Sequence, residues 1–475
     1  MIIESLLTQA AQQPDEIAII DETGSHSYRK VAGMTAALAG EISRATQRPD
    51  VGLLLPSGIG YVASFYGILW AGKSVVPINF LLSPREIAHV IADSGIDTVI
   101  TIAPLAARLI PKDSPLRVID LASWQPPTTP IAPLPVPAAK ADDMAVLMYT
   151  SGTSGLPKGV ILTYGNLQSD VDDSIVHAQL RHKHKFLGVI PLFHTFGMMA
   201  SMLAPIQLGT TVIYLARFNA LAVFKAIAEQ GVSLVFAVPS MYAAMLQLKT
   251  GGPADFANVY ALLCGGEPLP ATIAQAFKQR FGQPILEGYG LTETSPVISL
   301  NTPQHQRLGS VGIPLPTARV RIISEDGADQ PVGETGEVWL AGPMVAKGYY
   351  HLPKETAETF TPEGFFKTGD LGRLDSDGYL YIVGRKKELI IVAGEKAVPR
   401  EIEEAIAKHP AVAEAAVVGK KDAARGEVVV AFLTLREEIP RDVFIETDLP
   451  RSPTGKILKR VLAERVNKGY VSAPS

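Results

Sequence analysis

The sequence predicts an α/β protein with parallel sheets first, then a smaller antiparallel β unit, and then a final α+β piece. Three observations lead to this order. Short aliphatic runs alternate with helix-length segments between about residues 51 and 300, which is typical of parallel sheets with helices on their faces. From about Arg319, strand-like runs are joined by acidic, glycine-rich turns, which indicates antiparallel pairing. Beyond Gly384, a helix-like segment at about 399–408 comes with further strand-like runs.

Each predicted strand is an aliphatic or aromatic run bounded by turn residues. In the parallel region these runs are DTVIT, AVLMYT, KFLGVI, TTVIYL, VSLVFAV and PILEGYG. In the antiparallel region they are RVRIIS, GEVWL and GYLYIVG, and in the last piece AAVVG and EVVVAFLTL. The most apolar window, Val51–Gly72, is about long enough to span a bilayer. Because Pro56, Ser57 and Gly58 interrupt it, we predict a buried strand, a turn and a buried helix there, and no transmembrane segment.

Length, charge and cysteine content narrow the class of protein. A chain of 475 residues exceeds what one hydrophobic core usually holds, so two or three structural units are expected. Lysine and arginine number 43 against 47 aspartates and glutamates, which gives no electrostatic signature for nucleic acid or an anionic membrane. The basic run 181–185 is interpreted as a solvated loop. Cys264, the single cysteine, is predicted to be a buried thiol, and the lack of a visible export signal favours a cytoplasmic location.

The stretch YTSGTSGLPKG, Tyr149–Gly159, has the composition of a phosphate-binding loop. Its spacing does not match the Walker pattern, since Gly152 is not followed at the required distance by Gly-Lys-Ser/Thr. Lys158 supplies a positive charge, and hydroxyl donors and glycines suited to an anion precede it: Thr150, Ser151, Gly152, Thr153, Ser154 and Gly155. We therefore expect the loop to hold a polyphosphate, with a glycine- and serine-rich surface turn as the alternative.

Seven motifs in a fixed order extend this interpretation from Ala145 to Arg460: YTSGTSGLPKG, PLFHTFG, GGEPL, GYGLTETSP, TGDLG, GRKKELI and LPRSPTGKILKR. In these motifs the sequence resembles the adenylate-forming superfamily, which comprises acyl- and aryl-CoA synthetases, nonribosomal peptide synthetase adenylation domains and luciferases. The resemblance implies a domain 1–384 of two parallel-sheet α/β subdomains and a small β-barrel-like subdomain, followed by a small mobile α+β domain 385–475. It also implies a ligase that joins a carboxylic acid to the α-phosphate of ATP with Mg²⁺, releases pyrophosphate and passes the acyl group to CoA.

The resemblance assigns the phosphate and metal roles. The loop just described would hold the β- and γ-phosphates. Gly288, Tyr289 and Gly290 would lie along the adenine and the acyl carboxylate, and Thr292 would contact the α-phosphate. Glu293 would bind Mg²⁺, with Thr150 as a second ligand. The alternative for Glu293 is an acidic residue that favours the N-terminus of a helix.

The nucleoside roles follow from the same resemblance. Gly266, Glu267 and Pro268 would form the adenine-binding turn, although such a turn also occurs without any ligand. Asp370 would accept hydrogen bonds from both ribose hydroxyls, and Arg385 would contact the same ribose. The alternative for Asp370 is an exposed aspartate in a loop, where this residue type is a common turn former.

The remaining roles concern the C-terminal domain. Lys456 would neutralise charge as the acyl–phosphate bond forms, and with Thr292 and Glu293 it would be a catalytic residue. An exposed lysine without a special role is the alternative. Lys387 lies where the family hinges between its two half-reactions. Gly394 would line the tunnel for the pantetheine arm, where a side chain would block it.

The acyl pocket is predicted around PLFHTFGMM. Amino-acid-activating relatives have an aspartate at the position of His194, so an α-amino acid is not the expected substrate. His194 would line the pocket mouth, and Met198 and Met199 would contact an aliphatic chain. Gly290, along the acyl carboxylate, would belong to the same pocket. Two adjacent methionines are also common in ordinary cores. A medium- to long-chain fatty acid is the first expectation and an aryl acid the second.

One departure from the family pattern concerns the C-terminal domain. Between EVVVAFLTL and LPRSPTGK the chain is shorter than usual by about one helix. The domain is therefore expected either to deliver Lys456 in a trimmed form or to have impaired thioester formation. In the second case the chain would stop at acyl-AMP or transfer the acyl group to an acyl carrier protein. A nucleotide-binding protein without catalysis is the alternative from a different class.

Overall fold

The computed structural model describes residues 2–111, 114–125, 134–150, 156–393, 395–409, 411–422 and 425–435. The chain divides into two compact units between Leu389 and Ile390. Arg385 and Lys387, which the sequence analysis placed at the start of the second domain, therefore lie at the end of the first unit.

The helices of the described residues are mostly short and alternate with strands in the first unit. They are α1 (Ile2–Gln12), α2 (Tyr28–Ala45), α3 (Ile59–Trp70), α4 (Pro84–Ser94), α5 (Ala103–Leu109), α6 (Tyr164–His177), α7 (Thr195–Met198), α8 (Ala204–Leu208), α9 (Ala220–Gln230), α10 (Pro239–Leu246), α11 (Ala271–Phe281), α12 (Pro353–Thr359) and α13 (Pro399–Ala407).

The strands fall into four sheets. In chain order they are β1 (Ile17–Asp21), β2 (Gly24–Ser27), β3 (Asp50–Leu54), β4 (Ser74–Pro77), β5 (Thr98–Thr101), β6 (Arg117–Asp120), β7 (Met144–Thr150), β8 (Lys158–Thr163), β9 (Phe186–Gly188), β10 (Val212–Tyr214), β11 (Leu234–Ala237), β12 (Ala261–Cys264), β13 (Ile285–Gly290), β14 (Val297–Leu300), β15 (Ile313–Pro314), β16 (Arg319–Ile323), β17 (Gly336–Ala341), β18 (Phe366–Leu374), β19 (Leu380–Arg385), β20 (Ile390–Val392), β21 (Glu395–Ala397), β22 (Val412–Asp422) and β23 (Gly426–Leu435).

Two large sheets form the body of the first unit, and the prediction of parallel sheets is confirmed. In the described residues one sheet has the order β6-β5-β3-β4-β7-β8 and the other β15-β14-β13-β12-β11-β9-β10-β1-β2. Their central pairs are parallel, whereas β7–β8, β1–β2, β13–β14 and β14–β15 are antiparallel. These antiparallel edges were not predicted. Two of these antiparallel pairs adjoin predicted site motifs. The glycine-rich loop connects β7 to β8, and the first three residues of GYGLTET form the end of β13, which pairs with β14.

The apolar window at 51–72 forms a buried strand and a buried helix, as predicted. The strand β3 is buried throughout, and α3 is buried along almost its whole surface. A helix that is apolar on every side belongs inside a core. In the part of the chain that the structure describes, no helix combines the length and hydrophobicity needed to cross a membrane.

Two predictions about single residues have opposite outcomes. Cys264 is buried at the end of β12, as predicted, and burial raises the pKa of its thiol. The interpretation of 181–185 as a solvated loop is wrong for His184, which is 3% exposed. Its ring lies against that of Tyr260 with 4.4 Å between the ring centroids, in the segment that leads directly into the central strand β9.

The smaller β unit is a four-stranded antiparallel sheet of order β16-β17-β18-β19, as predicted. Its buried face consists of alternate strand residues such as Val338, Leu340, Phe366 and Leu380. The second unit carries α13 and an antiparallel sheet of order β21-β20-β23-β22.

Candidate active site

Asp370 joins the small β sheet to the largest sheet. It lies on β18 opposite Arg385 of β19, whose Nε is 3.0 Å from Asp370 Oδ1. Tyr289, on β13 of the large sheet, donates its hydroxyl hydrogen to Asp370 Oδ2 at 2.5 Å. A carboxylate oxygen can accept more than one hydrogen bond, so Asp370 has capacity for further donors from a ligand. Three predicted nucleotide residues, far apart in sequence, are thus brought together.

The environment of Asp370 differs from that of a turn residue. The residue is 3% exposed, so the alternative of an exposed loop aspartate is wrong. Burial raises the pKa of its carboxyl, while the Tyr289 hydroxyl and the Arg385 charge act in the opposite direction. The pKa of Tyr289 is raised by burial and by the neighbouring Asp370, so its hydroxyl remains a hydrogen-bond donor.

Glu293 and Lys158 are both neighbours of Tyr349. The hydroxyl of Tyr349 donates to Glu293 Oε1 at 2.8 Å, and Lys158 Nζ lies 5.7 Å from the centre of the Tyr349 ring. Burial raises the pKa of Glu293, and the bond from Tyr349 counteracts that shift. Glu293 lies in the one-turn 3₁₀ helix Thr292–Thr294, too short to carry the dipole that the alternative interpretation requires.

The segment 347–350 places Tyr349 at this position by pairing with β8. The Tyr350 N–H donates to the Gly159 carbonyl at 2.7 Å, and the Ile161 N–H donates to the Gly348 carbonyl at 3.0 Å. Beside it lies a cavity of about 480 Å³, lined in part by Lys347, Tyr349 and Phe360. None of the predicted acyl-pocket residues lines this cavity.

Close packing explains the glycines of GYGLTET. A Cβ atom on Gly290 would lie 1.8 Å from the Pro296 carbonyl oxygen, and one on Gly288 would lie 2.7 Å from Leu300 Cδ1. Both contacts arise because β13 turns back into β14. At the start of β14, the Val297 N–H donates a hydrogen bond to Oδ1 of Asp170 on α6 at 3.1 Å. Asp170 is fully buried, and burial raises the pKa of its carboxyl well above the usual range.

The glycine-rich loop begins and ends on a regular hairpin. Thr150 at the end of β7 is the register partner of Lys158 at the start of β8. The strand β8 in turn packs beside the one-turn helix that contains Thr292 and Glu293. The structure therefore brings Thr150, Lys158, Thr292 and Glu293 to one side of the first unit. Ser151, Gly152, Thr153, Ser154 and Gly155 lie outside the described residues.

The predicted adenine turn follows β12. Gly266, Glu267 and Pro268 are all exposed, and Gly266 has a φ of +85°, which an L side chain rarely adopts. The preceding Gly265 approaches the Gly288 carbonyl oxygen, since a Cβ atom at Gly265 would be 3.6 Å from it. The turn therefore lies next to the GYG strand.

The predicted acyl-pocket residues lie at the start of an irregular helix. His194 precedes α7 and is exposed, whereas Met198 and Met199 are 0% and 4% exposed and belong to the main hydrophobic core. A π-helical turn, Met199–Leu203, joins α7 to α8. Such turns are rare and often mark functional sites. From this helix the Phe196 ring approaches Gly265, where a Cβ atom would be 3.6 Å from the ring.

The sequence analysis missed two functional candidates, and two more predicted residues, besides the five of the loop, lie outside the described residues. Tyr349 and Phe196 were missed because their partners are distant in sequence. The glycine before Tyr349 and the aromatic residue within PLFHTFG were the available signals. Lys387 lies in a 3₁₀ turn, Lys386–Glu388, just before the division between the units. Gly394 and Lys456 lie outside the described residues.

Known proteins resemble this chain along nearly its whole length. A feruloyl-CoA synthase from Amycolatopsis sp. is 33% identical over 488 residues, covering 96% of this chain and 97% of that protein. A long-chain-fatty-acid–CoA ligase from Bacillus subtilis is 30% identical over 534 residues, covering 98% of this chain and 95% of that protein. The structure of O-succinylbenzoate coenzyme A synthetase from Bacillus subtilis with ATP and magnesium ion matches with a TM-score of 0.81 and 29% identity, covering 97% of this chain and 99% of that one.

Two family descriptions match the two units. Residues 6–350 match "AMP-binding enzyme", and residues 401–466 match "AMP-binding enzyme C-terminal domain". The second range includes Lys456, so the shortened region does not interrupt the match. The chain belongs to the AMP-binding enzymes of the adenylate-forming superfamily.

Proposed function

We propose that this chain activates a carboxylic acid with ATP to form acyl-AMP and then transfers the acyl group to CoA. The observation that carries the proposal is the convergence of Tyr289 and Arg385 on the buried Asp370. A buried carboxylate with spare acceptor capacity suits the two hydroxyls of a ribose. The similarity to CoA ligases of different acids over almost the whole chain supports the same reaction class.

In this proposal the nucleotide lies across the junction between the large and small sheets. Asp370 and Arg385 take the ribose, and the 266–268 turn and the strand 288–290 border the adenine. Gly288 and Gly290 allow close approach, since neither presents a side chain. Thr150–Gly155 and Lys158 hold the β- and γ-phosphates, and Thr292 contacts the α-phosphate.

The residues present fit a magnesium ion. Mg²⁺ usually takes one or two protein oxygens and leaves its other positions to water and phosphate. The Glu293 carboxylate and the Thr150 hydroxyl provide such a pair, and the Tyr349 hydroxyl orients the carboxylate. When bound, the ion would offset phosphate charge. The work of the chain itself is to orient the acid and the α-phosphate and to add the positive charge of Lys456.

The two units support a two-step reaction in which the C-terminal domain, proposed as 385–475, changes orientation. Lys387 is proposed as the hinge, Lys456 serves the first step and Gly394 serves the second. An unhindered path for the pantetheine arm requires that residue 394 have no side chain.

The acid is proposed to be a medium- to long-chain fatty acid. The buried, unbranched Met198 and Met199 next to a π-helical turn suit a pocket that adapts to a flexible chain. An aryl acid is the second candidate. Two observations favour it: the Phe196 ring lies next to Gly265, and the chain is similar to a feruloyl-CoA synthase.

A mass-spectrometric product assay tests the proposal. The purified chain is incubated with Mg-ATP and a panel of fatty and aryl acids, with and without CoA. Acyl-CoA that forms only with CoA supports the full reaction and identifies the acid class. Acyl-AMP that accumulates regardless of CoA limits the chain to the first step and favours an acyl carrier protein as acceptor. Absence of both products with every acid of the panel would point to a nucleotide-binding protein without catalysis.

A further inference from the structure

The helix α4 contacts the chain on both sides of the glycine-rich loop. The Asp93 Oδ2 atom accepts the Tyr149 hydroxyl at 2.6 Å, immediately before Thr150. His89 Nε2 lies 3.0 Å from the Pro157 carbonyl oxygen, immediately before Lys158. A carbonyl oxygen only accepts, so Nε2 of His89 carries the hydrogen. One helix therefore contacts the residue before Thr150 and the residue before Lys158, at the two ends of the glycine-rich loop.

The spacing of the two side chains explains how one helix can do this. His89 and Asp93 are four residues apart, so they lie on the same face of α4, one turn from each other. Tyr149 and Pro157 flank the hairpin ends, where Thr150 pairs with Lys158. Burial and the bond to Asp93 raise the pKa of Tyr149, so its hydroxyl remains protonated and able to donate.

The helix α4 is itself firmly placed. At its N-terminus Ser83 and Glu86 form a capping box, and at its C-terminus Gly95 adopts the left-handed conformation with φ +65°. Ile87 and Val90 are buried in the core of the six-stranded sheet. A helix fixed at both ends and along one face provides a rigid support for the groups it contacts.

We propose that His89 and Asp93 are positioning residues for the triphosphate. They do not contact ATP; they hold Tyr149 and Pro157 so that Thr150 and Lys158 face the β- and γ-phosphates. This inference rests on the proposed function, in which these two residues bind phosphate. Because the nucleoside is held elsewhere, by Asp370 and Arg385, the two side chains affect ATP and leave AMP unaffected.

The test compares ATP with AMP by titration calorimetry in a magnesium buffer. The variants are His89→Ala, His89→Gln, Asp93→Ala and Tyr149→Phe. Arg85→Ala is the matched control, since Arg85 is an exposed residue of the same helix. Circular dichroism and melting temperature verify that each variant is folded.

Loss of one hydrogen bond predicts that His89→Ala weakens ATP binding about three- to tenfold. AMP affinity should change less than about twofold, within the spread expected for a distant site. His89→Gln should restore ATP affinity, because its amide can still donate to the Pro157 carbonyl. Asp93→Ala and Tyr149→Phe should each weaken ATP binding, and the double variant should lose much less than the sum of the two single losses.

Several results would overturn the inference. Equal weakening of ATP and AMP would mean that α4 serves only the general stability of the unit. Unchanged ATP affinity in folded His89→Ala and Tyr149→Phe proteins would show that the hydrogen bonds from α4 to Tyr149 and Pro157 are not needed for triphosphate binding. Wild-type protein that binds neither nucleotide would instead refute the proposed function, and the two failures are therefore distinguishable.

Discussion

Replacing Tyr289 with phenylalanine tests whether Asp370 binds the nucleotide as a carboxylate. The change removes the hydroxyl that donates to Asp370 Oδ2 at 2.5 Å and leaves the Arg385 contact at 3.0 Å in place. Burial already raises the pKa of Asp370, and the Tyr289 hydrogen bond is the first of the groups that lower it. Its loss should therefore raise the pKa of Asp370 further.

The size of the shift follows from the energy of one hydrogen bond. A bond to a charged group contributes roughly 1.5–3 kcal/mol, and about 1.4 kcal/mol corresponds to one pKa unit. Since Arg385 still stabilises the charge, we expect an increase of about one unit, at the lower end of that range. The ionised form accepts the ribose hydroxyls, so nucleotide binding weakens as the pH falls through this pKa.

The assay is the dissociation constant of AMP measured from neutral pH downwards, as far as both proteins remain folded by circular dichroism. In Tyr289→Phe the loss of affinity should begin about one pH unit higher than in wild type. Tyr260→Phe is the control, since it removes a tyrosine hydroxyl that donates to the Ala178 carbonyl, outside the site. If the pH at which AMP affinity falls is the same in Tyr289→Phe and wild type, Asp370 is not the titrating group.

Four further predictions address other parts of the chain. Because burial raises the pKa of Asp170 in the folded state, the stabilisation that this carboxyl provides is complete below its unfolded pKa and disappears as pH rises. Asp170→Asn should therefore gain stability over wild type by about 1.4 kcal/mol per pH unit from about pH 4 up to the raised pKa of the folded state, and a difference in melting temperature that stays constant over that range would contradict this. Gly290→Ala should lower the free energy of unfolding by roughly 1–3 kcal/mol and abolish ATP binding, because its Cβ would clash with the Pro296 carbonyl. The control Gly33→Ala has no neighbour within 4 Å of its Cβ and should neither destabilise the protein nor weaken ATP binding. Lys456→Ala should abolish acyl-AMP formation in pyrophosphate-release assays and leave ATP affinity nearly unchanged; a large loss of affinity would contradict the role of this lysine. Lys387→Pro should spare acyl-AMP formation and cripple thioester formation by stiffening the hinge, and equal loss of both steps would argue against domain rotation.

Strand patterns were predictable because their signals are local. The alternating aliphatic runs predicted the parallel sheets, and the turn-rich segment after Arg319 predicted the small antiparallel sheet. The antiparallel edges were not predictable in this way. Whether β8 pairs with β7 in the opposite sense depends on the path of the loop between them, and the residue types of a short strand are similar in both arrangements.

The candidate site shows the same limit for single residues. The TGDLG motif indicated a ribose-binding role for Asp370, with an exposed turn aspartate as the alternative. The motif did not reveal that Asp370 lies within β18, buried opposite Arg385. Tyr349 was invisible because its partner Glu293 is 56 residues away, and only the pairing of residues 347–350 with β8 brings them together. Motifs therefore indicated which chemistry to expect, while the supporting contacts came from tertiary packing.

Tyr349 has a consequence for how such a site can change over evolutionary time. One ring neighbours the ammonium group of Lys158 on its face and the carboxylate of Glu293 through its hydroxyl. Residues that share a neighbour have non-additive mutational effects. A substitution at any of these three positions therefore alters the selective value of substitutions at the other two. We expect the three to be replaced together or not at all among descendants that keep the reaction.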